Sequence, residues 1–416
     1  MTPFSNERMN NKIILDADVI ADFYKDNRTG IFRVTFELFK ELSGHKDIQT
    51  FYSHLALFNG ETSVQELDDF FIHNNIRIQA VNNRERRTFL PFRKEKLFRY
   101  LYKKIGVYNY KNTHHQVLFE GAEIFHSFYY PINNDIKQYP HLKKVITVHD
   151  LIPILFPDLH FTAELIKEII KSIGTDGFAV CVSESTKRDL LTYAPYLNPD
   201  HVFVNHLAAS KELFYVCRDK EKFSKMRKKY HLPEKYFLSL GTLEPRKNVD
   251  HVIRVFLKLV REHEISDMSL VLVGAKGWNF DKIFDEYESA QELKDKIVFT
   301  GKVPDEDLAS LYSNAHSFYY MSLYEGFGLP PLEAMQCGVP AVTSNTSSLP
   351  EVVEDGGIML DPKDEEALYR TMLRLYQDED LRMYYAEKGL KQSEKFSWKL
   401  SAERQVAIYK KILDNR

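Results

Sequence analysis

Short apolar runs rich in β-branched residues alternate with longer amphipathic stretches along most of the chain. This alternation is typical of βαβ units, whose strands form a parallel sheet covered by helices on both faces. In the first half it predicts a strand at 12–18, a turn containing Gly30 and a helix from Ile31 to Leu42. Further strands are predicted at 76–81, 124–128, 143–150, 178–183 and 201–206.

The second half repeats the pattern, with strands predicted at 236–242, 269–275, 296–301, 316–322 and 339–345. The periodicity lapses over 205–223, where we expect the boundary between two domains. The fold class predicted is α/β, with two doubly wound Rossmann-like domains, 1–208 and 209–396, facing across a cleft. The stretch 397–416 is amphipathic and is suited to packing against either domain, including a return onto the first.

Composition narrows the class of protein. A chain of 416 residues suits two domains, and a net charge of −3 offers no argument for binding nucleic acid. No apolar run approaches the roughly 20 residues of a membrane span, and the N-terminus lacks the apolar core of a signal peptide. Cys181, Cys217 and Cys337 show no CxxC spacing, which argues against a disulfide scaffold or zinc site. We therefore expect a cytoplasmic protein.

The stretch "YEGFGLPPLEAMQCGVP" (324–340) leaves a predicted buried strand as a tight loop and enters a helix. Gly326 and Gly328 allow close approach of a ligand to the backbone. Pro330 and Pro331 suit a first helical turn, because a missing N–H is not felt there. The helix is predicted to be short, about 331–337, and its N-terminus suits an anion or a sugar hydroxyl.

Two acids flank this loop, Glu325 within it and Glu333 in the first turn of the helix. An acid at the second position is able to accept hydrogen bonds from a diol such as a ribose. The alternative is that Glu333 only complements the helix dipole and the glycines only form a turn. Spacing alone does not separate these interpretations.

A second candidate group lies in "SLGTLEPRKNVDHVI" (239–253), where a strand ends at Gly241 and Arg246-Lys247 precede a helix. Two cations at the mouth of a sheet neutralise a diphosphate, Arg through bidentate contacts and Lys as a point charge. A solvated basic pair is the alternative. The diphosphate interpretation is favoured because this pair and the acidic loop follow strands of one predicted domain.

These residues resemble a known family. "EGFGLPPLEAMQCGVPAVTSNTSSLPEV" together with "GTLEPRKN" is similar to the retaining GT-B glycosyltransferases of family four, which include bacterial mannosyl- and glucosyltransferases of cell-surface glycans. The similarity spans about Tyr236 to Asp361, with further matches at 298–315 and 396–413. The N-terminal half matches more loosely, through "LDADVIADFYKDNRTGIFRVTFELFKEL" and "TVHDLIPILFP".

The resemblance implies roles for the second-half residues. Glu333 would bind the nucleotide ribose, and Glu325 would lie against the transferred sugar. Backbone N–H groups would be offered to sugar hydroxyls and phosphate by Gly326, Phe327, Gly328 and Leu329. The family's basic pair would hold the diphosphate, here Arg246 and Lys247.

Further roles implied by the resemblance fall on both domains. Lys302 and Val303 would contact the base through their backbone, and Gly241 would line the donor site. His149 would lie close to the donor sugar from the first domain, and Gly30 would approach the donor there. Ser183 occupies a cleft loop, with no defined role.

The activity implied is retaining transfer of a hexose from a nucleotide-diphosphate sugar to a glycan or lipid-linked acceptor. GDP-mannose is the donor favoured, ahead of UDP-sugars, and the donor is a substrate rather than a cofactor. No metal is expected, and the triplets at 16–18, 305–307 and 378–380 only superficially match a DxD motif. The alternatives are a GT-B nucleotide-sugar epimerase and a catalytically silent scaffold protein.

Residues 84–111 form a basic stretch with interleaved aromatic residues, and apolar residues recur in it at helical spacing. Such a segment is suited to peripheral contact with an anionic membrane surface. It equally suits a helix that covers the first domain's core with a basic rim.

Overall fold

The computed structural model describes residues 11–25, 29–55, 62–86, 110–157, 163–277 and 279–414. The strands of the first half are β1 (Asn11–Asp16), β2 (Ile48–Ser53), β3 (Gln79–Ala80), β4 (Asn82–Arg86), β5 (Tyr110–His114), β6 (Ile124–Ser127), β7 (Lys143–Val148), β8 (Phe178–Cys181) and β9 (Val202–Val204). Its α-helices are α1 (Asp18–Phe23), α2 (Gly30–Ser43), α3 (Val64–His73), α4 (Gln116–Gly121), α5 (Ile152–Leu155), α6 (Ala163–Ile173) and α7 (Glu184–Tyr193).

The second half continues with strands β10 (Lys235–Leu240), β11 (Met268–Val273), β12 (Ile297–Gly301), β13 (Ser317–Tyr320), β14 (Ala341–Ser344) and β15 (Ile358–Leu360). Its α-helices are α8 (Lys220–Tyr230), α9 (Val249–Glu262), α10 (Asp281–Glu288), α11 (Asp305–Ser313), α12 (Leu329–Gln336), α13 (Leu349–Val353), α14 (Glu365–Gln377), α15 (Glu379–Ser393) and α16 (Trp398–Asp414).

Two parallel sheets organise these elements. In the described part of the chain the N-terminal sheet has the order β3-β2-β1-β6-β7-β8-β9, and the C-terminal sheet has the order β12-β11-β10-β13-β14-β15. The strand order reverses beside β1 in one sheet and beside β10 in the other, and ligands of doubly wound sheets bind at such switch points. The predicted fold class is confirmed. The predicted division at 208/209 falls between β9 and α8.

Strand burial explains why the sequence reads as continuous apolar runs. Ile13 and Leu15 of β1 pack into one hydrophobic cluster, whereas Ile14 between them packs into another on the opposite face. Phe237 and Leu238 of β10 divide in the same way. Successive side chains point to opposite faces of a strand, and helices cover both faces here, so alternation is absent.

Several local predictions differ from the structure. The strand predicted at 76–81 is reduced to β3, and β2 was missed because polar side chains interrupt "IQTFYS". The antiparallel pair of β4 and β5 was also missed, since its sequence is polar and carries no apolar alternation. Gly30 begins α2 rather than lying in a turn, because the Thr29 side chain caps the helix by accepting from the Phe32 N–H.

The C-terminal helix α16 returns to the first half of the chain. Within the described residues, its Tyr409 hydroxyl lies 2.6 Å from His126 Nδ1, and Lys410 Nζ lies 2.6 Å from an Asp47 carboxylate oxygen. Asn205 Nδ2, just after β9, donates to the Ser401 carbonyl at 3.1 Å. One buried hydrophobic cluster contains residues of β1, β10 and α16 together, so the two sheets share part of their core.

The sequence led to two predictions about membranes: no membrane-spanning segment, and peripheral contact through residues 84–111. No helix within the described ranges is long and apolar enough to cross a membrane. The stretch 84–111 lies largely outside the described residues, since 87–109 are not among them. Its peripheral membrane contact therefore stays a sequence prediction.

Tyr409→Phe tests the attachment of α16. Tyr409 and His126 are both fully buried, and burial lowers the pKa of His126 to about 3, so the imidazole is neutral. Loss of the hydroxyl leaves one ring nitrogen without this partner, and we expect the free energy of unfolding to fall by about 1 kcal/mol. Urea unfolding measures it, with the exposed Tyr384→Phe as control; equal stability of the two variants would contradict the tether.

Candidate functional site

The C-terminal sheet brings the two candidate segments together. β10 pairs directly with β13 in parallel, so the loops that follow both strands emerge at one edge of the sheet. After β10 the chain makes a 3₁₀ turn, Pro245–Lys247, and Asn248 takes a left-handed conformation (φ 55°) before α9 begins. After β13 the chain enters the loop with Glu325 and then α12.

Glu325 is the centre of a buried ion cluster. Its Oε1 lies 2.6 Å from Lys247 Nζ, 2.9 Å from Arg246 Nη1 and 2.8 Å from the Tyr320 hydroxyl oxygen. Burial raises the pKa of Glu325, but Arg246 and Lys247 outweigh it and hold the pKa at about 2. The carboxylate is therefore ionised throughout the physiological range.

The positive charges of Arg246 and Lys247 are paired with the carboxylates of Glu244 and Glu325. Arg246 Nη2 donates to Glu244 Oε1 at 2.6 Å, and Nη1 also donates to the Tyr324 carbonyl at 2.7 Å. Burial lowers the pKa of Lys247, and Glu325 partly opposes the change. Arg246 Nε has no hydrogen-bond partner among the described residues, and Lys247, which donates to Glu325 and Tyr320, retains a third donor.

The glycine loop, residues 325–328, is fixed by hydrogen bonds to the side chains of Ser347 and Ser348. Ser347 Oγ accepts from the Glu325 N–H at 2.8 Å, and Ser348 Oγ donates to the carbonyls of Glu325 and Phe327 at 3.0 and 2.8 Å. Gly328 has φ 112°, a conformation that disfavours a β-carbon, and α12 starts immediately after it. The predicted helix at 331–337 thus begins two residues earlier, at Leu329.

The helix start offers fewer donors than a usual N-terminus. Pro330 and Pro331 occupy the second and third positions of α12, and neither has an N–H. Leu329 supplies the first-turn N–H, while Leu332 N–H faces the Gly328 carbonyl at 3.5 Å. The anion-binding capacity of this terminus therefore rests on the N–H groups of the glycine loop and Leu329 together with the dipole.

The glycine loop is also a contact between the two halves of the chain. A β-carbon on Gly326 would lie 2.2 Å from the His149 carbonyl oxygen, so only glycine permits this approach. Ser183 Oγ donates to the Gly326 carbonyl at 2.7 Å while capping α7 by accepting from the Thr186 N–H. Ser183 therefore joins the halves.

Glu351 of α13 was missed in the sequence. Its carboxylate accepts the Glu184 and Ser185 N–H groups at the start of α7, at 2.7 and 2.8 Å. His206 Nε2 lies 3.2 Å from the same carboxylate. A helix N-terminus favours an anion, so Glu351 fastens the C-terminal half to the N-terminal half. No sequence signal marked it, because the partners are about 165 residues away.

His149 lines a cavity together with Arg246 of the ion cluster. A cavity of 170 Å³ is lined by His149 and Arg246 together with Tyr129, Asp150 and Ile31. His149 Nε2–H donates to the Phe128 carbonyl at 2.8 Å, which leaves Nδ1 as the acceptor nitrogen of the ring. Burial lowers the pKa of His149, with smaller opposing effects of the Phe128 carbonyl and Asp150, so the ring is neutral at physiological pH.

Glu333 of α12 is buried, with 4% of its surface exposed. Tyr312 donates to its Oε2 at 3.0 Å, and Arg33 Nη1 of α2 donates to its Oε1 at 3.2 Å. Burial raises the pKa of Glu333, although Arg33 and Tyr312 oppose this change. Arg33 was not among the residues that the sequence singled out.

The remaining residues predicted from the sequence have fewer contacts that relate them to the ion cluster. Lys302 is exposed and Val303 half-buried just after β12, and a β-carbon on Gly241 would lie 3.6 Å from Lys247 Cε. A β-carbon on Gly30 would meet nothing within 4 Å. Ile31 beside it lines the cavity with His149.

The acidic triplet at 16–18 is part of the N-terminal core. Asp18 Oδ1 lies 2.7 Å from His54 Nδ1 and accepts the Leu55 N–H at 3.0 Å. Burial, reinforced by Asp18, raises the pKa of Asp16 well above its usual range. In the ranges that the structure describes, no three His, Cys, Asp or Glu side chains are grouped to hold a metal ion.

Comparisons with known proteins identify relatives of this chain. The sequence model of the family described as "Glycosyl transferases group 1" matches residues 221–392. The chain is 31% identical to O-antigen chain mannosyltransferase B of Escherichia coli over 393 residues, covering 92% of this chain and 96% of that protein. It is 30% identical to the serotype-specific mannosyltransferase WbdA of Escherichia coli over 302 residues, 71% of this chain but 36% of that protein.

The fold is likewise shared with a solved structure. Sucrose-phosphate synthase (tll1590) from Thermosynechococcus elongatus superposes with a TM-score of 0.69 at 19% identity, covering 98% of this chain and 100% of that one. At this identity the similarity concerns the fold, and it places the two sheets of this chain in the GT-B architecture.

Glu325→Gln tests the ion cluster through pH. The folded pKa of Glu325 is depressed to about 2, so its ionisation stabilises the fold above the unfolded pKa and is lost as pH falls towards 2. A shift of this size corresponds to about 3 kcal/mol. We expect the stability gap between the parent and Glu325→Gln to be largest at neutral pH and to narrow in acid. Chemical unfolding across this range measures the gap; a constant gap would refute the linkage.

Gly326→Ala tests the contact between the halves. The new β-carbon would clash with the His149 carbonyl, so we expect the cleft to open and the radius of gyration in small-angle scattering to increase. Gly121→Ala is the control, because a β-carbon there lies 3.7 Å from Lys12 Nζ, an ordinary contact. An unchanged radius in Gly326→Ala would show that the loop shifts without opening the cleft.

Proposed function

Because this chain belongs to the group 1 glycosyl transferases, we propose that it transfers a hexose, with retention of configuration, from a nucleotide-diphosphate sugar to a glycan or lipid-linked acceptor in surface-polysaccharide synthesis. The observation that carries the proposal is the buried cluster of Glu325, Arg246 and Lys247, of which Arg246 lines a cavity together with His149. It combines cations for a leaving group with hydrogen-bond acceptors for a sugar.

The leaving nucleoside diphosphate gains negative charge as the glycosidic bond breaks, and preorganised cations stabilise that charge. Lys247 and Arg246 are assigned to this role: Lys247 has a third donor beyond those that Glu325 and Tyr320 engage, and Arg246 lines the cavity. The N–H groups of the glycine loop act beside it. In this proposal the positive charge comes from the protein, without a metal ion.

The sugar would lie between the halves, in the cavity lined by His149. With Nε2–H donating to Phe128, Nδ1 of the neutral ring accepts a hydrogen bond from a sugar hydroxyl. Glu325, fixed by two cations, accepts from another. Neither acid is assigned as a covalent nucleophile, because the cation pair already engages Glu325 and the proposal gives Glu333 the ribose.

The donor sugar is proposed to be mannose, carried by GDP in preference to UDP-sugars. Two Escherichia coli relatives are described as mannosyltransferases, one of them of O-antigen chains. Their names support both the sugar and a surface-glycan acceptor for this chain. Action in the cytoplasm is part of the same proposal.

The experiment is a transfer assay that uses purified protein, a panel of GDP- and UDP-sugars, and mannose-terminated oligosaccharide and lipid-linked acceptors, with and without EDTA. Acceptor-dependent release of GDP from GDP-mannose, an α-linked product and insensitivity to EDTA would support every part of the proposal. Conversion of donor without acceptor would indicate an epimerase instead. Donor binding without any turnover would indicate a scaffold protein.

Lys247→Ala and Glu333→Ala separate the two ends of the donor. We expect Lys247→Ala to lower kcat by about 10²–10³-fold with a smaller change in KM, as for loss of one transition-state donor. Glu333→Ala should mainly raise the dissociation constant of the donor. Steady-state kinetics and calorimetry measure these effects.

Matched controls are Lys282→Ala and Glu292→Ala, which remove the same charges from exposed positions. Equal changes of kcat and KM in both site variants would contradict the division of roles.

A further inference from the structure

Arg33 is a residue of the N-terminal half that contacts the nucleoside end of the candidate site. It lies in the first turns of α2, and its side chain is 21% exposed. Nη1 donates to Glu333 Oε1 at 3.2 Å, and Nη2 lies 2.7 Å from Asp305 Oδ1. Asp305 begins α11, three residues after Lys302. The guanidinium therefore connects the loop that follows β12 with the acid of α12.

The position of Arg33 is determined by packing on both sides. Thr29 caps α2 through the Phe32 N–H, and Phe32 is buried in the core. The guanidinium carbon lies 5.6 Å from the centre of the Phe214 ring, in cation–π geometry. Phe214 is fully buried in the segment that joins the two halves. The Arg33 side chain is consequently directed at Glu333 before any ligand arrives.

Glu333 retains acceptor sites for a diol. A carboxylate offers about four lone-pair positions, two on each oxygen. In the described structure Oε1 accepts from Arg33 and Oε2 accepts from Tyr312. One further lone-pair position remains on each oxygen, which matches the two neighbouring hydroxyls of a ribose.

We propose that Arg33 is a positioning residue for the nucleotide: from the opposite half of the chain, it holds the Glu333 carboxylate ready to accept the ribose hydroxyls. This inference rests on the proposed function, which assigns the ribose to Glu333. It adds that nucleotide affinity depends on closure of the cleft, because Arg33 is on the N-terminal half. Closure and donor binding therefore reinforce each other.

The test is calorimetry with GDP and with 2′,3′-dideoxy-GDP, and the matching uridine pair is run in parallel. Arg33→Met retains length and packing on Phe214 but loses the donors, and Arg33→Lys retains only a point charge. Lys40→Met removes a cation from an exposed position of the same helix and is the control. Thermal unfolding of each variant checks that it is folded.

We expect Arg33→Met to weaken GDP binding about tenfold, equivalent to about 1.4 kcal/mol. Binding of the dideoxy nucleotide should change little, and Arg33→Lys should lie between the parent and Arg33→Met. In combination with Glu333→Gln, Arg33→Met should add little further loss, because the two residues act as one unit. Lys40→Met should bind as the parent does.

A second readout is pH. Glu333 faces Arg33, Tyr312 and Asp305, with Cys337 close by, and burial raises its pKa while Arg33 opposes the change. Without Arg33 the pKa rises further, and a protonated carboxyl loses acceptor capacity. The deficit of Arg33→Met should therefore shrink as pH is raised. A purely structural role would leave the deficit independent of pH.

The outcomes distinguish the role of Arg33 from the assignment of the ribose to Glu333, on which it rests. If Glu333→Gln weakens GDP binding and Arg33→Met does not, or tightens it, the inference is overturned while the ribose assignment stands. If Glu333→Gln leaves GDP and UDP binding unchanged, or if the parent binds neither nucleotide, the assignment and the inference both fail.

Discussion

Burial of positive charge is the constraint on which the cleft depends. Arg246 and Lys247 lie at the end of β10 with side chains only 11% and 12% exposed. Charges so far from water persist when opposite charges and hydrogen bonds accompany them. Glu244 and Glu325 provide those charges, and Glu325 comes from the loop after the neighbouring strand. The parallel pairing of β10 with β13 is therefore what allows a basic pair to be held in a buried site.

Hydrogen bonds and an ion pair to buried carboxylates also join the two halves of the chain. Glu351 is neutralised by the start of α7, and Glu333 by Arg33 of α2. Gly326 approaches the His149 backbone without obstruction. Each of these contacts places one partner on each side of the cleft. Residues of the N-terminal half therefore balance or approach several buried groups of the C-terminal half in the described structure.

Much of this was readable from the sequence, because parallel strands covered on both faces produce continuous apolar runs and because strand ends meet at one edge of a sheet. The same reasoning predicts that Arg246, Lys247 and Glu325 lie at one edge of the C-terminal sheet. It failed where the sequence carries no apolar period, as in the polar hairpin of β4 and β5. It also did not foresee that Glu244, Glu325 and the Tyr324 carbonyl surround Arg246.

The sequence by itself determined the fold class, the family and the residues at the strand ends, since these depend on local periodicity and on short motifs. Tertiary structure alone decided which acid balances which cation, which nitrogen of His149 stays available and that Arg33 reaches Glu333, whose position is 300 residues away. These outcomes depend on how two separately wound sheets face each other. Periodicity within a segment contains no information about that, because the contacts form between segments that are distant in sequence.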